Sequence, residues 1–278
     1  MRQLILIGFI FLTVLGCGQA KFDSRWKDHE ITLDGNLEEW NGKMLIPDNS
    51  HVAVSVANDE NFLYLALRTL DRDIIRQIAI HGFTVWFDRT GGQKERLGVT
   101  YPLGNGLKDM HKMAKKAPNQ SFDEFELTIN ELLMNQHEIV ITNTDNNYKT
   151  RRSLTTPEGI VVRLSFKDGV LGYELTVPLH ESSDQNFAIG LDPGSTLGIG
   201  FTTPKIDREK MKAQMKKSAG GGGMGGGKGG GMGGGGRGGQ GGRGSGKGDG
   251  GKGGGPTGVN SQLPKSLEIW TAVSLASR

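Results

Sequence analysis

The sequence predicts an all-β fold: an antiparallel β-sandwich with a small helical insertion and a long, glycine-rich disordered loop before its last strand. Three observations predict it. Short runs rich in Val, Ile, Leu, Phe and Thr alternate with period two, which is the pattern of half-buried strands. Clusters of Gly, Asn and Asp break the runs at close intervals, as at Lys167-Asp168-Gly169. About eleven such runs stand against three helical stretches, which fits a sandwich or flattened barrel.

The chain of 278 residues begins with Arg2 and an apolar run from Leu4 to Leu15. That run is too short for the ~20 residues of a membrane-crossing helix and suits the core of a signal peptide, residues 1–17. It ends at Val14-Leu15-Gly16-Cys17, where Cys17 is the only cysteine. A lone cysteine excludes an internal disulfide and a Cys-rich metal site. Residues 18–27 read as a tether, and residues 28–205 as the sandwich domain.

Within that domain Val52, Val54 and Val56 alternate with smaller residues, Asn58-Asp59-Glu60-Asn61 makes a turn, and Phe62–Thr69 returns as the second arm of a hairpin. Phe83, Val85 and Phe87 share one strand face. Further strands are predicted at His137–Thr142, Tyr148–Leu154, Gly159–Phe166, Val170–Val177, Phe187–Leu191, Leu197–Thr203 and Leu267–Leu275. The helical insertion covers about residues 107–134. It comprises Leu107–Ala117 and a second helix opened by Ser121 and Glu124 in capping-box spacing. Thr203-Pro204 opens a third, charged helix over 206–219, with Pro at a favoured first position.

Glycine and charge are both concentrated near the C-terminus. Residues 220–255 hold 26 of the 45 glycines. The stretch 205–252 carries +8 of a total of +3, so the rest of the chain is at −5. A tract of this composition buries too little apolar surface to offset ordering entropy, so residues 220–258 read as a flexible loop with ends about 30–35 Å apart. Residues 265–276 regain strand character and complete the sandwich. Arg237 and Arg243 sit in Arg-Gly settings, but Thr202–Ile269 contains no Phe, Tyr or Trp. Nucleic acid binding by stacking is therefore not predicted. Contact of this basic loop with an anionic envelope polymer or membrane surface fits its charge better, and a simple solubilising spacer is the default reading.

The candidate ligand-binding residues are Trp86, Asp88, Trp270 and Glu268. Trp86 falls on the strand face opposite Phe83, Val85 and Phe87, and Trp270 falls opposite Leu267, Ile269 and Val273. Each stands beside a carboxylate, Asp88 or Glu268. Aromatic rings bind the apolar faces of sugars, and carboxylates accept hydroxyl hydrogen bonds. The six histidines have no metal-ligand spacing. His111 with Met110 or Met113 has the chemistry of heme axial ligands, without an attachment motif. Glu38-Glu39 and the pair Asp71 and Asp73 read as solvated turn residues, and no nucleophile elbow or phosphate-binding loop is present. No catalysis, metal or cofactor is predicted.

Val14-Leu15-Gly16-Cys17 resembles the lipobox of bacterial lipoproteins. That resemblance implies lipidation of Cys17, removal of residues 1–16 and anchoring to a membrane outside the cytoplasm, in the periplasm or at the outer membrane. Ile31 to Trp40, with Asp34-Gly35 and an acidic residue before the Trp, resembles the opening of carbohydrate-binding module family 9 and its DOMON-like relatives. Val52–Leu65, Gly82–Gly92 and Val170–Leu179 are similar to later blocks of the same family. The resemblance implies a sandwich that clamps a sugar between aromatic rings and carries structural calcium, or binds heme in related domains. Trp40 belongs to the shared opening motif and is expected to pack rather than to bind. The expected function is a non-catalytic envelope lipoprotein that binds a glycan or other small ligand. Two alternatives stay open, a structural envelope protein without a ligand and a heme-binding electron-transfer relative.

Overall fold

In the computed structural model the described residues are 21–47, 50–104, 121–154, 159–181, 187–205 and 266–278. Residues 1–17 with Cys17, the predicted helices at 107–117 and 206–219, the tract at 220–258, and Met110, His111 and Met113 lie outside them.

The alternating runs build two sheets. Five strands, β2 (Arg25–Trp26), β3 (Val52–Asn58), β4 (Phe62–Thr69), β9 (Val161–Lys167) and β10 (Val170–Pro178), form the smaller sheet in the order β2-β3-β4-β10-β9. The larger contains β1 (Lys21–Asp23), β5 (Thr84–Asp88), β6 (Leu97–Thr100), β7 (Glu138–Asn143), β8 (Tyr148–Ser153), β11 (Thr196–Thr202) and β12 (Glu268–Ser274). Its order is β1-β12-β11-β5-β6-β7-β8. Pairings are antiparallel except β1 with β12 and β2 with β3, which are parallel. Val54, Leu65, Tyr173 and Leu175 of one sheet and Val85, Phe87, Ile199 and Val273 of the other join one buried cluster. The fold is the β-sandwich that the periodicity predicts.

Differences from the sequence reading have local causes. Residues 21–27 are not a tether. Lys21–Asp23 pairs with β12, and Arg25–Trp26 pairs with β3. The chain crosses between the sheets at buried Ser24, whose hydroxyl donates to Asn58 Oδ1. Ala276 N donates to Ser24 Oγ at 2.8 Å and Asn58 Oδ1 at 2.9 Å, closing the knot. Helix α1 (Arg72–His81) follows β4, where no element was expected. Asp71 caps it by accepting from Asp73 N and Ile74 N, and Ile75, Ile78 and Ala79 turn inward. Phe187–Leu191 alternates but is not a strand, because Gly190 takes φ +77° and the segment only brushes the end of β10. Helix α2 (Phe122–Met134) carries the predicted capping box, and Phe125 meets Phe166 edge to face at 5.7 Å.

Candidate functional site

The outer face of the smaller sheet is occupied by its own chain. Trp40 is 1% exposed and packs on Ala57, Tyr64 and Ala66, with Ile31, Leu37 and Met44 beside it. Its Nε1 donates to Glu174 Oε1 at 2.9 Å, and Glu174 Oε2 accepts from Gly35 N at 2.7 Å and Asp34 N at 3.1 Å. Burial raises the Glu174 carboxyl above its ordinary value against the pull of these bonds. Glu174 thus clips the Asp-Gly…Trp segment to β10, and Trp40 is packing, as expected. The sequence reading did not single out Glu174. A lone carboxylate amid the apolar run of β10 was the available signal, since a buried charge requires partners.

The outer face of the larger sheet carries Trp86 and Trp270. Register places Gly200 of β11 opposite both Trp270 of β12 and Trp86 of β5, and Trp86 opposite Gly98 of β6. One row across the sheet therefore reads Trp270, Gly200, Trp86, Gly98. The glycines exist for the rings. A Cβ on Gly98 would stand 2.4–2.9 Å from three consecutive carbons of the Trp86 six-membered ring. One on Gly200 would stand 2.6–2.7 Å from Cε2, Cζ2 and Cη2 of Trp270. Near-equal distances to consecutive ring atoms mean that the face of each ring, not its edge, lies over the glycine. Both rings are only partly buried, so the opposite face of each is turned away from the backbone. Glycine inside a strand marks such a close approach, and this signal was present in Gly98 and Gly200.

A recess of about 340 Å³ opens beside this row, lined in part by Trp86, Glu95, Thr202, Lys205 and Glu268. That is at the small end of ligand sites. Trp86 Nε1 donates to Thr202 Oγ1 at 3.1 Å, which fixes the indole's rotation. The Thr84 and Thr100 hydroxyls share a hydrogen bond at 2.8 Å. Glu268 is exposed and pairs with Lys205 at 3.0 Å, so its carboxylate is reachable. The structure thus brings Trp86 and Glu268 to one recess, with Trp270 in the same face.

Asp88 does not join them. It is fully buried, and its Oδ1 accepts from Thr90 N, Thr90 Oγ1 and Arg96 Nε while Oδ2 accepts from Lys94 N. Burial pushes its carboxyl up, but these bonds outweigh it and hold the group below the ordinary carboxylate range. It organises the β5–β6 turn instead of meeting a ligand. Glu95 and Lys205, not singled out from sequence, supply polar groups in its place. Both come from irregular segments, where periodicity assigns no face.

Among the described residues, two wider recesses lie elsewhere. One, of about 540 Å³, is bounded by Asp34, Glu38, Arg68 and Lys167. The other, of about 460 Å³, is bounded by Arg89, Arg96, Asp145 and His180. Neither exposes a tryptophan. In the second, Arg89 and Arg96 are already bound to Asp145 at 3.3 and 2.6 Å. Volume alone does not outweigh the aromatic chemistry of the smaller recess. Among the described residues no three His, Cys, Asp or Glu side chains converge as metal ligands.

No protein-family model matches the sequence, and no curated protein does. Among solved structures the chain is similar to a carbohydrate-binding module of family 9 from Caldicellulosiruptor kristjanssonii, in complex with glucose. The identity is 10% and the TM-score 0.32, with 68% of this chain and 80% of that one covered. The cellotriose complex of a family 9 module from the same organism gives 11%, 0.31, 68% and 78%. The sandwich itself rests on the sheet order and register described above.

Proposed function

We propose that this chain is a non-catalytic glycan-binding module held at a bacterial cell envelope. The Trp270–Gly200–Trp86–Gly98 row carries the reading. A tryptophan whose underside is filled by glycine backbone offers one flat apolar face, and the Trp86 N–H is already satisfied by Thr202. Sugar rings have apolar faces and hydroxyl rims that match such a surface. Trp86 and Trp270 supply the stacking faces, and Glu268 accepts a hydroxyl, with Lys205 and Glu95 at the rim. The apolar run Leu4–Leu15 ending at Cys17 supports a lipid anchor, since two or more acyl chains tether a protein stably. The +8 segment following β11 supports an added electrostatic contact with anionic envelope polymers.

The test is a titration of the whole chain, purified in detergent, with soluble oligosaccharides and cell-wall fragments while tryptophan emission is followed. A saturable change that is weakened or lost in Trp86→Ala and Trp270→Ala, both retaining the wild-type far-UV spectrum, supports the reading. No change across the panel in folded protein overturns it. Separately, Cys17→Ser should abolish incorporation of labelled palmitate in bacterial cells, and continued labelling would remove the anchor.

A further inference from the structure

We infer that the aromatic face takes the interior of an extended polysaccharide chain laid crosswise to the strands, not a sugar end held between two rings. This rests on the glycan reading above and specifies its ligand. A clamp needs two rings whose faces oppose one another across a gap. Here each ring has one face committed to a glycine of the same sheet, and both stand on the same side of it. They also lean the same way. Trp270 leans from β12 onto β11, and Trp86 leans from β5 onto β6. Their free faces therefore point outward together and form successive tiles of one floor.

The spacing and continuation of the row set the ligand's length. Neighbouring strands are about 4.8 Å apart, so the two tryptophans, separated by β11, are about 10 Å apart along the row. Register continues it from Gly98 to Thr142 of β7 and Lys149 of β8. Thr142 is partly exposed and Lys149 exposed. From Trp270 to Lys149 the row crosses five strand spacings, about 24 Å, which is far longer than one sugar ring. Each tile is fixed before the ligand arrives, so a chain that engages both pays little ordering cost in the protein. The second contact then becomes intramolecular. A single sugar engages one tile only.

The experiment is a length series on the whole chain in detergent. The probes are cello- and chito-oligosaccharides of one to six units, and each hexamer with its reducing end converted to the alditol. Affinity should rise at least tenfold from dimer to hexamer, and the alditol hexamer should bind within twofold of its parent. Trp270→Ala should cut the hexamer back to dimer affinity. Lys149→Ala should weaken the hexamer and leave the dimer unchanged. Binding of the monomer as tightly as the hexamer overturns the chain reading and leaves glycan binding standing, as does loss of binding in the alditols. Failure of every length to bind folded protein overturns the glycan reading and this one with it.

Discussion

Replacing Asp88 with Asn keeps the side chain's outline but sets an NH₂ where Thr90, Arg96 or Lys94 now donates. Breaking a buried charge pair while leaving donors unpaired costs about 3 kcal/mol, so the urea midpoint should fall accordingly. Sugar affinity of the folded fraction should stay unchanged. Glu268→Gln should do the reverse. Its pair with Lys205 is solvent-exposed, so stability should move by less than about 0.5 kcal/mol. Loss of a charged hydroxyl acceptor should weaken binding roughly tenfold. Glu174→Ala leaves the Trp40 indole N–H and two backbone N–H groups buried without an acceptor. A loss of about 3 kcal/mol is expected at equilibrium unfolding. The two carboxylates that stood beside tryptophans in the sequence thus have different work. Alternation located both on the outer face, but nothing in it reveals that the turn after Asp88 folds back to fill its lone pairs.

The tryptophan row is a property of paired strands, and the glycines test it. Neither Gly98 nor Gly200 has a left-handed backbone, so alanine is sterically free except for the ring above it. Gly98→Ala should lift Trp86 and Gly200→Ala should lift Trp270. Each should cost about 1–3 kcal/mol, as overpacked sites do. Each should also change the near-UV circular dichroism and reduce hexamer affinity as much as the corresponding Trp→Ala. A variant that keeps full affinity would show that ring flatness is irrelevant. The faces of β5 and β12 were legible because Val85 and Phe87, and Ile269 and Val273, stand at even spacings with the tryptophans between them. Which strands lie side by side was not, since register between β5, β11 and β12 depends on partners far apart in the chain. Helix α1 escaped notice because its inward positions are Ile74, Ile75 and Ile78, β-branched residues that favour strands as readily. Its stronger signal was Asp71, which reads as an acidic turn until its cap geometry is seen. Strands β1 and β2 were missed because they have three and two residues, too few to display a period.

Acid sensitivity belongs to the whole molecule. Burial pushes the carboxyls of Asp59, Asp71 and Asp88 up, but hydrogen bonds from neighbouring groups hold all three below the ordinary range. The unfolded chain takes up protons near pH 4, and the folded chain resists until lower pH. The stabilisation is therefore complete above about pH 5 and drains as pH falls through about 4 and below. Glu174, raised by burial, contributes with the opposite sign, losing stability as pH rises through its folded value. Urea midpoints at pH 7, 4 and 3 should fall in that order, with the steep loss below 4. The connection from β11 to β12 is a second whole-molecule quantity. These strands are neighbours in the sheet yet are separated by residues 203–267. Closure entropy depends on the logarithm of loop length, so shortening the connection to about a dozen residues should stabilise the fold by about 1.5 kcal/mol. The same connection has a consequence for biosynthesis. β12 sits inside the larger sheet between β1 and β11, yet it leaves the ribosome after every other described strand. Until it arrives, β1 has no neighbour, Gly200 lies bare and half of the aromatic floor is missing. A chain cut short anywhere in the glycine tract would end as an open sheet, able neither to finish its core nor to present both rings.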